Sequence, residues 1–301
     1  MKYRLTGIRR GSQYSPNHIG NDAAIFDLTA AYLQAKSCEI TVYSEEECWE
    51  ADIDADAVFN MVRDQHSIRK LQTLEDQGVC VVNSAYGIEN CTRKRMTQLL
   101  LSHHIPHPDS VILSTTDANI DELETLGSGN LWIKRGDFHA IHREDVTFVR
   151  SLDEAAGILK EYALRNIPSA VVNKHLEGDL IKFYGVADSG FFYWFYPDNQ
   201  HHSKFGLEVI NGKTRGFAFE VDYLQEICRK AAEVLQVHIY GGDAVVSPEG
   251  MVQIIDFNDW PSFAPCRRQA APYIAELIYN QMIQHKAECN SIAPHYIDYR
   301  V

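Results

Sequence analysis

The segment from Gly241 to Phe263 restricts the fold most. It reads Gly241-Gly242-Asp243-Ala244-Val245-Val246, then Pro248-Glu249-Gly250, then Ile254-Ile255-Asp256-Phe257-Asn258-Asp259-Trp260-Pro261-Ser262-Phe263. Two β-branched apolar runs around a Pro-Glu-Gly turn predict an antiparallel hairpin. Asp243 is expected to open the first strand and Asp256 to lie near the end of the second, the two ends that meet in a hairpin. Asp256 and Asn258 are two residues apart, so their side chains leave one face of the strand. Two carboxylates and an amide oxygen on one patch form an oxygen-only ligand set, which suits a hard cation such as Mg²⁺. The competing reading is a pair of turn aspartates on a solvated strand face.

The rest of the chain must supply a scaffold for that hairpin. Its 301 residues exceed what one compact core usually serves, so two or three lobes are expected. Asn21 to Gln34 carries apolar residues at helical spacing, with Asp22 near the positive end of the helix. Glu39 to Tyr43 reads as a strand, Val58 to Val62 as a short apolar run, Ser67 to Asp76 as a helix ending at Gly78, and Val79 to Val82 as a buried strand. This alternation predicts a small α/β lobe with a parallel sheet. Asn90 to His104 is predicted as one helix with a basic first turn, Arg93-Lys94-Arg95, ended by Ile105-Pro106-His107-Pro108.

A second lobe follows. Strands over 111–113, 131–134, 146–149 and 170–174, with helices near 120–126 and over 152–165, make a β-α-β-β-α-β module. Beyond His175 strands dominate (180–186, 191–196, 244–247, 252–257). A helix from Val221 to Leu235 interrupts them, and one from Ala271 to His285 closes the chain.

Composition excludes several classes. A net charge of −13 argues against a general nucleic-acid binder, which needs a basic footprint. The seven cysteines at 38, 48, 80, 91, 228, 266 and 289 form no C-x-x-C pair, so reduced thiols are expected rather than a disulfide framework or zinc site. His103-His104, His107 and His201-His202 lack ligand spacing and read as surface or loop residues. Met1 to Gly20 has no apolar run of the signal-peptide kind, and no stretch approaches the roughly 20 apolar residues of a membrane span. A soluble, cytoplasmic protein without a membrane partner is expected.

Two lysines sit upstream of the hairpin. Lys134 ends Leu131-Trp132-Ile133-Lys134, and Lys182 lies within Leu180-Ile181-Lys182-Phe183-Tyr184. A lone strand lysine usually faces solvent. Two of them before an acidic hairpin match what a nucleoside triphosphate needs, cations for its phosphates and a metal bridging β and γ.

In this order the elements resemble the ATP-grasp superfamily across nearly the whole chain. A Gly-Val-x-Val-Val-Asn-Ser turn occupies 78–84, and a basic helix head at 93–95 precedes Ile105-Pro106-x-Pro108. A strand ends in Lys134, and a hinge runs Val171-Val172-Asn173-Lys174-His175-Leu176-Glu177-Gly178-Asp179. The Asp…Asp-x-Asn hairpin comes last. Residues 179–184 with 255–258 are similar both to the inositol-phosphate kinases and to the glutathione-synthetase and RimK-like ligases.

The resemblance implies an α/β and α+β, three-lobed fold, with ATP between the central and C-terminal lobes. The lobes would span 1–92, 93–173 and 174–301. ATP and Mg²⁺ are the implied cofactors. Lys134 and Lys182 would contact phosphates, and Val172, Asn173, Lys174 and His175 would frame the adenine through backbone groups. Asp179 would approach the ribose, and Asp243, Asp256 and Asn258 would hold the metal. Residues after Trp260 would meet the acceptor, with Arg267 and Arg268 clamping an anionic one unless they are merely a solvated helix start. Arg9 and Arg10, with Ser15-Pro16-Asn17-His18, would line the acceptor side.

Two departures stand out. The loop Arg135 to His142 has a single glycine where the family is glycine-rich, which implies a stiffer lid or one using His139 and His142. The hinge carries Asn173 where a carboxylate is common. The implied activity is ATP-dependent ligation, in which a carboxylate becomes an acylphosphate and an amine or thiol attacks it. Transfer to a small-molecule hydroxyl is the alternative, and a non-enzymatic nucleotide sensor is a third reading. The partner is a small-molecule acceptor.

Overall fold

The apolar strands assemble, among the described residues, into three four-stranded sheets. The computed structural model describes residues 2–15, 19–127, 129–138, 142–197, 210 and 212–292. Pro16, Asn17, His18, His139, His201 and His202 lie outside the described residues.

The first sheet has the order β2-β1-β3-β4 and is parallel throughout, from β1 (Tyr3–Ile8), β2 (Cys38–Tyr43), β3 (Ala57–Asn60) and β4 (Cys80–Val82). Sequence reasoning anticipates the parallel sheet but misses β1, its inner strand, because Arg4, Thr6 and Gly7 break the apolar pattern. Gly7 is needed there: a Cβ at this position would lie 2.5 Å from the Phe59 ring and 2.7 Å from that of Phe26. The helices of this part are α1 (Ile19–Ala35), α2 (Glu47–Glu50), α3 (Gln65–Asp76), α4 (Ala85–Asn90) and α5 (Arg93–Ser102). Asp64 caps α3 by accepting from the His66 and Ser67 N–H groups, as an N-cap aspartate should. The helix expected over 90–104 is α5, which starts three residues later, at Arg93, because Asn90 is the last residue of α4. Thr92 adopts an extended conformation, and its hydroxyl donates to the Glu89 carbonyl at 2.8 Å, closing α4 before α5 begins.

The second sheet is antiparallel, with the order β5-β8-β6-β7, from β5 (Ser110–Ser114), β6 (Leu131–Arg135), β7 (Val146–Val149) and β8 (Ser169–Lys174). Helix α6 (Leu152–Leu164) and a 3-10 helix, Ile120–Leu126, cover one face. Leu113, Leu131, Ile133, Val149, Ala170 and Val172 pack with them.

The third sheet has the order β10-β9-β11-β12, from β9 (Asp179–Val186), β10 (Phe192–Phe195), β11 (Ile239–Val246) and β12 (Val252–Asp259), with helices α7 (Val221–Leu235) and α8 (Arg267–Ile292). Helix α7 and Met96 and Leu100 of α5 cover one face of it. Helix α8 begins four residues before the expected start, because Pro272 sits inside it rather than at its head, at the cost of one helical hydrogen bond. It returns to the first sheet: Ile274, Ile278 and Met282 share a core with Leu5, Phe26 and Phe59. All seven cysteines are free thiols, six of them buried. No helix among the described residues is long and apolar enough to cross a membrane.

Polar rivets join the first and third sheets. The Asn83 amide accepts from the His238 and Ile239 N–H groups, both at 2.9 Å, and donates to the Ile239 carbonyl at 2.7 Å. Arg10 pairs with Asp22 and donates to the Trp260 carbonyl at 2.9 Å. Arg63 forms a buried pair with Asp259. Asp259→Ala would leave the Arg63 charge buried without that carboxylate, a change worth about 3–5 kcal/mol. Urea unfolding followed by circular dichroism should show a loss of that size, and the double replacement Arg63→Met with Asp259→Leu should restore most of it. A single variant within about 0.5 kcal/mol of wild type would remove the pair from the interactions that join the lobes.

Candidate active site

The acidic hairpin is β11-β12, and its geometry depends on one irregularity. Asp243 pairs with Asp256, yet Ala244 pairs with Ile254, so Ile255 is an extra residue on β12. Two residues apart on a regular strand, Ile254 and Asp256 would share a face. The bulge separates them. Ile254 stays in the core beneath the sheet, and Asp256 turns to the opposite face beside Asp243. Asp243 does not open its strand as expected. Strand β11 already begins at Ile239, and Gly241-Gly242 hide that extension from a pattern reading. Gly242 is demanded by proximity, since a Cβ there would stand 2.1 Å from the Asp256 carbonyl oxygen. The acids therefore meet by register near the middle of the hairpin, not at its ends.

Across the sheet one row reads Phe195, Lys182, Asp243, Asp256, and the next reads Tyr193, Tyr184, Gly241, Asn258. Each carboxylate is held by a cation. Lys182 donates to Asp243 at 3.0 Å. Arg93, the first residue of α5 and only 6% exposed, donates to Asp256 at 3.0 Å. The Asn258 amide reaches the other Asp256 oxygen at 3.3 Å. Burial would raise the Asp256 carboxyl, but the Arg93 and Lys134 charges outweigh it and hold the group below its ordinary value. Among the described residues no three His, Cys, Asp or Glu side chains gather as a metal centre. The cluster is instead two carboxylates with an amide whose oxygen becomes available when the side chain turns over, an oxygen-only set that fits a hard cation.

Lys134 arrives from the second sheet. Its ammonium is 7% exposed and donates to the carbonyl of Ile255, the bulged residue, at 3.2 Å. Burial, reinforced by the Arg93 charge, lowers the Lys134 pKa to about 7. Beneath the site, His107 bonds the Ile254 carbonyl through Nδ1 at 2.7 Å. Burial, with the nearby Lys134 charge, lowers its pKa to about 3, so it stays neutral.

The face of the second sheet opposite α6 carries two rows as well. One reads Ser110, Asn173, Trp132, Phe148, and the other Ile112, Val171, Lys134, Val146. His175 follows, accepting at Nδ1 from the Trp132 indole at 3.0 Å and packing edge-on against Phe148. Phe148, Val146, His175, Asn130, Arg143 and Arg150 are among the residues lining an open cavity of about 900 Å³. An aromatic pocket, an amide and a buried lysine thus lie along one face, and the lysine leads to the acid pair.

Not every expected residue joins this arrangement. The Val172 side chain is in the core, and its backbone lies in a strand flanked on both sides, opposite Val111 and Ile133. The N–H groups of Lys174 and His175 are engaged by Asp109 and Asn130 at 2.9 and 3.0 Å, and the Lys174 side chain is exposed. Asp179 is 3% exposed, and its oxygens accept from the N–H groups of Arg215, Gly216 and Phe217 at 2.7–2.9 Å. It anchors that loop. Arg267 donates to Asn21 of α1 at 2.7 Å, and its buried Nε has no hydrogen-bond partner. Arg268 beside it is exposed, so a two-arginine clamp is reduced to one. Arg10 is committed to Asp22, Met61 and Trp260, and Arg9 to Asp27. In the loop after Lys134, Arg135 forks onto Asp137 at 3.0 Å, and the backbone N–H of His142 donates to Asp145 at 3.0 Å. Arg93 was visible only as part of a basic triplet, and Ser110 and the Ile255 bulge left no signal in the sequence.

No protein-family model matches the chain, and no curated protein matches it. Solved structures do. D-alanine–D-alanine ligase from Bacillus anthracis is 16% identical with a TM-score of 0.68, over 95% of this chain and 99% of that one. The corresponding enzyme from Coxiella burnetii is 16% identical with a TM-score of 0.69, over 97% and 98%. The ATP-grasp ligase PsnB, complexed with a minimal precursor, is 13% identical with a TM-score of 0.60, over 93% and 100%. A likeness of that extent, with three sheets in sequence and a lysine facing an acidic hairpin, identifies the fold of this chain as the ATP-grasp fold.

Proposed function

We propose that this chain is an ATP- and Mg²⁺-dependent ligase. It would activate the carboxylate of a small molecule as an acylphosphate and transfer the acyl group to an amine or thiol. One observation carries the reading. The second sheet offers an aromatic pocket, an amide and then Lys134 along one face, and Lys134 touches the bulge beside Asp243 and Asp256. That sequence of groups follows a nucleotide from base to γ-phosphate. The named structural neighbours are all ligases, one of them solved with ATP in the Bacillus anthracis enzyme, which favours ligation over transfer to a hydroxyl. The cations near the acid pair are few, and two of them, Arg93 and Lys182, are committed to carboxylates, which is unsuited to a polyphosphate acceptor.

The residues present fit both groups. Asn173 Oδ1 is a buried acceptor without a partner, available to the amino group of a base. Lys134 would hold the phosphates with Arg93 and Lys182, which leave their carboxylates as Asp243, Asp256 and Asn258 take up Mg²⁺. The metal would supply charge neutralisation for the transferring phosphoryl group. Arg267, with its Nε unpartnered near the head of α1, would orient an anionic acceptor. Preorganised charges of this kind act on the transferring group without reorganisation at the moment of reaction.

Two outcomes are expected. Asp256→Asn keeps the shape but removes a full charge from the metal site, so turnover should fall by about 10²–10³ while ATP affinity falls less. The assay reads phosphate release with pooled amino acids and small carboxylates, beside calorimetry with ATP. Turnover within about threefold of wild type would make Asp256 a structural residue.

The second outcome concerns pH. In the free protein Lys134 loses its proton near pH 7, against an ordinary value of 10.5. A triphosphate needs the ammonium, so binding must restore the proton, and ATP affinity should fall by up to about tenfold per pH unit above 7. The free fold trends the other way. Between about 7 and 10.5 the unfolded lysine binds more protons than the native one, so its contribution to stability rises with pH. Calorimetry at pH 8.5 in buffers of different ionisation enthalpy should show proton uptake, and Lys134→Arg should flatten the profile. Pronounced uptake in the arginine variant would assign the proton to another group.

A further inference from the structure

The hinge amide is not free to choose its orientation. Asn173 is 2% exposed, and its Nδ2 lies 2.7 Å from Ser110 Oγ. Ser110 Oγ in turn lies 2.6 Å from the Pro108 carbonyl. A carbonyl oxygen only accepts, so at that distance the single serine proton must be directed to Pro108. Ser110 is then left with lone pairs towards Asn173 and can only accept. The amide must present its NH₂ to the serine, which leaves Oδ1 as a buried acceptor with no partner. An unpaired buried acceptor is costly to a fold, and it lies on the cleft face, in the row with Trp132 and Phe148.

We propose that Ser110 is a positioning residue for base selection: by locking the Asn173 amide with its oxygen on the cleft face, it makes the site accept a 6-amino purine and reject a 6-oxo purine. The inference rests on the nucleotide reading above. A 6-amino group donates to Oδ1 and satisfies it. A 6-oxo group in the same pose sets oxygen against oxygen and leaves both unpaired. With the serine hydroxyl gone, nothing distinguishes the two amide orientations, which have nearly the same shape, and the turned amide can donate to the 6-oxo group.

The test compares ATP with inosine triphosphate, which differ on the base only at the 6-position and the proton on the adjacent nitrogen. Calorimetric dissociation constants with Mg²⁺ are measured for wild type, Ser110→Ala and Ser110→Thr. Wild type should prefer ATP by about ten- to a hundredfold, the worth of one unpaired buried polar contact. Ser110→Ala should cut the ratio at least about fivefold, chiefly by tighter inosine triphosphate binding, and Ser110→Thr, which keeps the hydroxyl, should retain it. A purely structural role for Ser110 would weaken both nucleotides together and leave the ratio unmoved. That result, or a wild type without preference, overturns the proposal while the nucleotide reading stands. A folded wild type that binds neither nucleotide overturns both.

Discussion

Strand β12 has to serve two masters, a hydrophobic core below and a charged site above, and a regular strand with this sequence could not. Ile254 belongs to the core and Asp256 to the site, although two residues on a strand ordinarily point the same way. The extra residue at Ile255 resolves the conflict. It also releases a carbonyl from the ladder, and Lys134 of the second sheet takes it. One local irregularity therefore sets the acid pair, brings Lys134 to it, and ties two sheets together across the cleft.

The electrostatics of the free chain follow from that crowding. Asp243 and Asp256, directly opposite, repel one another, and like charges in that position destabilise a sheet. Lys182 and Arg93 offset the repulsion, one from the same sheet and one from the head of a helix. Lys134 has no carboxylate to itself, and burial beside Arg93 brings its pKa to about 7. The charges of the cluster are thus balanced in the free chain.

The first and third sheets are joined by buried polar bonds, Arg63 with Asp259 and Asn83 with the start of β11, and by the return of α8 into the first core. The rivets hold the Trp260 segment, which follows Asp256 and Asn258 on the chain, against the first sheet. Arg267 then lies at the head of α1 through Asn21, which joins residues from both ends of the chain.

Much of this architecture was legible in the residues alone. Alternating apolar positions and turn residues are local, and they determined the parallel first sheet, the β-α-β-β-α-β module, helix α7 and the hairpin with its acids. They also marked Lys134 at a strand end. Where local pattern was broken for a tertiary reason the reading failed. Gly7 and Gly242 sit in strands because neighbours crowd them, so β1 was missed and β11 was started late. The roles that depend on distant partners were decided only by the fold. Arg93 meets Asp256 across 163 residues, Lys182 meets Asp243 across 61, and Asp179 turns to a loop 36 to 38 residues away. Hydrophobic periodicity says which way a side chain leaves its own strand. It carries no information on register between strands, on where a bulge reverses that direction, or on which buried charge will need which partner, because those are settled only when desolvation forces each polar group to find a partner within hydrogen-bond reach.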